Sequence, residues 1–253
     1  MSSAGRTKGG HGRLGSTLSG LVVAVGCVLF LGGFAWAAVE YQPYTVPTGS
    51  MTPTIVAGDK VLAQRISGDD VRRGDVVVFK DSEWGDLPLV KRVVAVGGDA
   101  VRCCDKQGRL SVNGVPLDEP YTDKALGGGR AAGANFSADV PVGELFMLGD
   151  ERANSLDSRV HLQDKEQGSV PRSDVKGRVD AIAWPPAHLI GRPKTFAALP
   201  GGISSGGPLR LMAVAVVAGA VLIFLGAALG PLLNRRGRAR PAPTPAGERA
   251  GVR

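Results

Sequence analysis

The chain has 253 residues, 43% of them hydrophobic and 21% charged, with a formal net charge of +7. That length holds one sizeable core or two small ones, and the composition is globular apart from two long apolar runs. The positive charge sits in the tails: Arg6, Lys8 and Arg13 stand without an acid in residues 1–17, and Arg235, Arg236, Arg238, Arg240, Arg249 and Arg253 face only Glu248 in residues 234–253. The stretch between is close to neutral, and no basic patch interleaved with aromatics accompanies the tails, which argues against nucleic acid as a partner.

Residues 18–39 contain no charged side chain, and neither do residues 211–233. As helices these runs extend roughly 33–35 Å at about 1.5 Å per residue, enough to cross a bilayer. Basic tails outside both runs place the two termini in the cytoplasm and residues 40–210 on the other side of the membrane, and such tails can touch anionic lipid. Ala35-Trp36-Ala37 has the small-x-small pattern of a signal-peptide cleavage site. The run is longer than the roughly 7–15 apolar residues of a signal peptide, so it reads as an uncleaved anchor. The expected organisation is a cytoplasmic tail (1–17), a transmembrane helix (18–39), an extracytoplasmic domain (40–210), a second transmembrane helix (211–233) and a basic cytoplasmic tail (234–253).

Between the spans, short β-type runs alternate with turn residues and no sustained helical period appears, so the domain is expected to be all-β and mainly antiparallel. Candidate strands cover residues 60–63, 75–79, 87–96, 144–148 and 179–184. Arg73-Gly74-Asp75 reads as a tight turn entering a strand. Residues 109–117 read as a hairpin around Asn113-Gly114, both tolerant of the positive φ of a type I′ turn. Residues 127–133 and 161–169 read as mobile loops. Cys27 lies in the first apolar run, and Cys103 and Cys104 are adjacent without a second ligand pair, so no metal site is expected. A bridge between those neighbours, two thiols and an intermolecular bond all stay open. Gly226 and Gly230 make a small-x-x-x-small pair, a spacing that chance also produces in membrane helices.

Three segments carry chemistry. Residues 44–53 place Ser50 between Pro47 and Pro53, after Gly49, on a stiff exposed loop. In residues 89–96, Leu89, Lys91, Val93 and Ala95 share one strand face, where apolar neighbours desolvate Lys91 and lower its pKa. Arg92 points the other way. Residues 149–159 form a polar, turn-rich run whose Ser, Asp and Arg side chains could orient a buried amine and pair with Arg92. Singly, each has a plain reading: a turn serine, a snorkelling lysine, a solvated loop.

Together they resemble the type I signal peptidase family in its Gram-positive actinobacterial form. Pro47-Thr48-Gly49-Ser50-Met51-Thr52-Pro53 resembles the serine box, and Lys91-Arg92-Val93 followed by Gly97-Gly98-Asp99 the lysine box. The run from Gly149 to Arg159 resembles the Gly-Asp box, with Glu151 and Ala153 departing from the family's usual Asn and Asp. Residues 74–79, 112–114 and 117–121 are similar to the remaining family stretches, so the likeness covers residues 44–192.

The resemblance implies a Ser-Lys endopeptidase that cuts signal peptides from exported pre-proteins after small residues, in an Ala-X-Ala pattern, without cofactor or metal. It implies Ser50 as nucleophile, Lys91 as general base, and Thr48 with the Ser50 N–H as oxyanion donors. Ser155 would hydrogen-bond Lys91, with Arg92, Asp157 and Arg159 bracing the loop. Implied partners are signal-peptide-bearing pre-proteins, the lipid bilayer and the secretion translocon. The competing readings are a self-cleaving repressor, which needs a DNA-binding helix pair where residues 1–43 offer a span, and a non-enzymatic membrane-tethered β module of the cell envelope.

Overall fold

The computed structural model describes residues 11–85, 87–122, 134–184 and 186–238, with side chains described between residues 17 and 229. It divides into two units, one holding the helices and one holding residues 38–209. Helix α1 (His11–Glu40) and helix α2 (Leu209–Arg238) contain the two expected apolar runs, and each is long and apolar enough to cross a membrane. Leu21, Val28, Leu31 and Phe34 on α1, and Leu211, Val217 and Phe224 on α2, are exposed, as lipid-facing side chains would be.

Small residues let these helices meet. A Cβ on Gly26 would come within 2.9 Å of the Gly219 carbonyl oxygen, and Ser19 Oγ donates to the Gly226 carbonyl at 2.7 Å. Gly226 thus lies on the contact between the two helices of one chain. The surroundings of Gly230 lie outside the described residues.

The other unit is built of antiparallel strands: β1 (Tyr41–Thr45), β2 (Lys60–Gln64), β3 (Val76–Phe79), β4 (Leu89–Val96), β5 (Ala100–Cys103), β6 (Leu110–Val112), β7 (Val115–Pro116), β8 (Phe136–Asp139), β9 (Glu144–Leu148), β10 (Val170–Pro171), β11 (Val175–Trp184) and β12 (His188–Leu189). The larger sheet runs β1-β2-β11-β3-β4-β9-β10, with β12 on β11, and the smaller runs β7-β6-β5-β8. The all-β expectation holds, with more strands than sequence alone suggested.

The hairpin lies where expected: Val112 pairs with Val115 across Asn113 (φ 53°) and Gly114 (φ 79°). Arg73-Gly74-Asp75 is a turn, closed by Asp75 N–H donating to Arg72 O at 3.2 Å. Residues 161–168 form turns and a bend, and residues 127–133 lie outside the described residues. Cys103 and Cys104 are joined as a vicinal disulfide at the end of β5.

The strands that flank the candidate site are buried on both faces. Val76 and Val78 join a core with Val46, Met51, Ile55 and Val90, while Val77 and Phe79 join another with Val93, Leu145 and Met147. One expectation fails along β4. Leu89 and Val93 share a core, but a register shift between Val93 and Ala95 puts Ala95 with Val94 in a third core, so the alternation through Lys91 ends at Val93.

Candidate active site

The loop after β1 is pinned by its apolar members. Val46 exchanges main-chain bonds with Asp59 and Gly58, and Met51 and Ile55 are fully buried beneath it. Each buried side chain of that size contributes roughly 1.5–3 kcal/mol, enough to hold a short irregular segment on the sheet. Between these anchors Ser50 forms a turn, and its N–H meets no acceptor among the described residues.

Strand β4 brings Lys91 to this turn. Lys91 Nζ lies 2.8 Å from Ser50 Oγ and 3.3 Å from the Val90 carbonyl oxygen. The side chain is 3% exposed and forms no salt bridge among the described residues. Burial pushes the Lys91 pKa down, Asp157 and Asp150 pull it partway back, and Arg159 adds to the lowering. Thr48 Oγ1, exposed on the other flank, lies 3.4 Å from Ser50 Oγ.

The polar run after β9 closes the back of the site. Glu151 N–H donates to Ser50 O at 3.1 Å, and Gly149 lies so close that a Cβ there would collide with Ser155 Oγ and come within 2.5 Å of Ser50 O. Only glycine fits that contact. Asp157 accepts from Gly149 N–H at 3.0 Å and holds Arg159 through both carboxylate oxygens at 2.8 Å. Arg159 in turn donates to Arg152 O, tying the loop to itself. Ser155 departs from expectation: its Oγ is enclosed without a hydrogen-bond partner among the described residues, seated against Gly149 instead of bonded to Lys91.

Arg92 pairs with this same polar run. It takes its carboxylate from Asp150, donating from Nε at 2.8 Å and Nη2 at 2.6 Å, and its Nη1 donates to Gly74 O at 2.9 Å. Tyr121 lies under the guanidinium, 4.1 Å from its ring centroid. Burial works against the Arg92 charge, but Asp150 outweighs it and the pKa is raised. Asp150, Tyr121 and the buried pair between Arg152 and Glu119 belong to this support and carried no assigned role in the sequence reading. The spacing of Gly149-Asp150 directly after an apolar strand was the one available signal.

β4 also leaves part of one edge open. It pairs with β3 from Leu89 to Arg92, whereas β9 pairs with it only from Arg92 onward. Beside Ser50, the main chain of Leu89, Val90 and Lys91 therefore has no strand partner on one side among the described residues. Among the described residues no group of three or more His, Cys, Asp or Glu side chains could hold a metal ion.

A serine hydroxyl, a desolvated amine in contact with it and an open strand edge would suit a hydroxyl-plus-amine peptidase. Comparison with known proteins places the chain in a peptidase family. Residues 16–184 match the family model described as signal peptidase, peptidase S26. The chain is similar to the probable signal peptidase I of Mycobacterium leprae, at 32% identity over 59% of this chain and 71% of that one. It is also similar to signal peptidase I of Bacillus caldolyticus, at 36% identity over 57% and 80%. The chain spans about two thirds of the length of its mycobacterial relatives. A solved signal peptidase I from Enterococcus faecalis V583 matches at 26% identity, covering 43% of this chain and 95% of that one with a TM-score of 0.35. The two apolar helices fit a membrane-anchored protein. The chain belongs to the signal peptidase family, peptidase S26, and is a hydrolase of the signal peptidase I type.

Proposed function

We propose that Ser50 and Lys91 are the nucleophile and general base with which this peptidase cuts signal peptides from exported pre-proteins after small residues. The observation that carries the reading is the 2.8 Å contact between Ser50 Oγ and the buried Lys91 amine, in a chain of this family.

With Lys91 neutral, the Ser50 hydroxyl donates its proton to Nζ as Oγ attacks the scissile carbonyl carbon. The oxyanion is met by the Ser50 N–H and the Thr48 hydroxyl. Lys91 then hands its proton to the departing amine, leaving an ester on Ser50. A water gives its proton to Lys91 and attacks that ester, which frees the signal peptide's new carboxylate and restores Ser50. Asp157, Arg159 and Arg92 hold the loop and strand that keep the two groups in contact. The enclosed Ser155 hydroxyl, spare beside the Ser50 main chain, is available to steady the amine once substrate enters. Substrate lies extended along the open edge of β4, where main-chain bonds align it.

The basic tails support a topology with both termini cytoplasmic and residues 40–210 outside, near the translocon and the lipid surface where precursors emerge. A non-enzymatic module would have no use for a desolvated amine beside a serine. The test compares cleavage of a signal-bearing precursor by wild type, Ser50→Ala and Lys91→Met. The wild type is expected to cut it and both variants to leave it intact; equal cleavage by all three removes the dyad.

A further inference from the structure

Three arginines around the site close on three acids: Arg92 on Asp150, Arg152 on Glu119 and Arg159 on Asp157. Glu151 is the acid this pairing leaves over. Its carboxylate takes part in no ion pair or side-chain hydrogen bond among the described residues. Its main chain is tied to the site, because its N–H donates to Ser50 O, and its carboxylate lies beside Gly49, with Oε2 3.7 Å from where a Cβ on that glycine would stand. Gly49 is the residue between Thr48 and Ser50, the two proposed oxyanion donors.

A carboxylate there opposes the negative charge that develops on the scissile oxygen. Nothing in the loop neutralises it, since the nearby arginines are committed and Lys91 works as a neutral amine. A cation brought by the substrate would remove the opposition and add attraction of its own. We propose that Glu151 is a specificity-determining residue that favours pre-proteins carrying a lysine or arginine within a few residues of the cleaved bond. The inference rests on Ser50 being the nucleophile.

The test uses the full chain in detergent and precursor peptides that differ at one position at a time, from four residues before the cut to four after, with Lys, Gln or Glu placed there. At one or more positions the wild type should cut the Lys peptide at least about fivefold better than the Glu peptide by kcat/KM, the scale of one partly exposed ion pair gained and one repulsion lost. In Glu151→Gln that ratio should fall to about one while the Gln peptide is cut at least as fast, and Glu151→Asp should keep part of the preference. Equal Lys-to-Glu ratios in wild type and Glu151→Gln at every position overturn the proposal. Cleavage of the Gln peptide by Ser50→Ala instead overturns the reading of the site on which it rests.

Discussion

Lys91 and Arg92 are neighbours on one strand, and the protein treats their charges in opposite ways. Both are almost fully buried, at 3% and 1% exposure. Arg92 receives a bidentate carboxylate, a main-chain carbonyl and an aromatic face, so its guanidinium keeps its charge at low cost. Lys91 receives a hydroxyl and one carbonyl, with its nearest acids engaged by arginines. The lesson is that burial alone does not set a basic residue's role. The partners supplied decide whether it anchors the fold or gives up its proton.

The contrast can be broken by truncating each residue. Lys91→Met should lower cleavage by roughly 10⁴-fold or more, the scale for removing one member of a unit that acts together. Its thermal stability should hold or rise, because an ill-paired amine leaves the interior. Arg92→Met should instead act through the fold, costing about 3–5 kcal/mol of stability by stranding Asp150, measured by denaturant unfolding. Adding Asp150→Leu should recover much of that loss. Equal destabilisation by Lys91→Met and Arg92→Met would erase the distinction.

Thr48→Val tests the other flank of Ser50. It keeps the shape and removes the hydroxyl, so turnover should fall roughly 10²- to 10³-fold with unfolding unchanged. Unimpaired turnover removes Thr48 from the chemistry.

The smallest effect is titration. Because the Lys91 pKa is lowered in the folded chain, cleavage should climb from neutral toward alkaline pH as the neutral amine accumulates. Between that lowered value and the ordinary 10.5, the unfolded chain binds the extra proton. Wild-type stability relative to Lys91→Met should therefore rise with pH through this window. A flat cleavage profile between about pH 6 and 9, with chemistry rate-limiting, contradicts a neutral base.

What the sequence made legible were the features with local causes. Asn113-Gly114 announces its turn through the φ values it tolerates, and the apolar runs announce the two helices. Strand β1 stayed hidden because Tyr41-Gln42-Pro43-Tyr44-Thr45 mixes a proline with a broken pattern, and β8 because Phe136-Ser137-Ala138-Asp139 is short and half polar. The serine and lysine segments each had a plain local reading, and it was their joint resemblance to one family that singled them out. Their contact across 41 residues, the Arg92 and Asp150 clamp and the register shift before Ala95 arise from tertiary pairing, which no local window contains. Ser155 shows the same limit: its place in the run was evident, its orientation against Gly149 was not.

The open edge of β4 is also a hazard. Unpaired main-chain groups that welcome one extended peptide welcome the strand of any neighbour, and long flat edges of this kind seed aggregation. Here the exposure is kept to Leu89, Val90 and Lys91, and Pro88 directly before them has no N–H with which to prolong a ladder. Pro43 stands likewise in β1, at the margin of the same sheet. Two prolines thus limit how far the main chain at these margins can prolong a ladder with a neighbouring strand, which would let the proposed substrate edge stay open at lower risk of self-association.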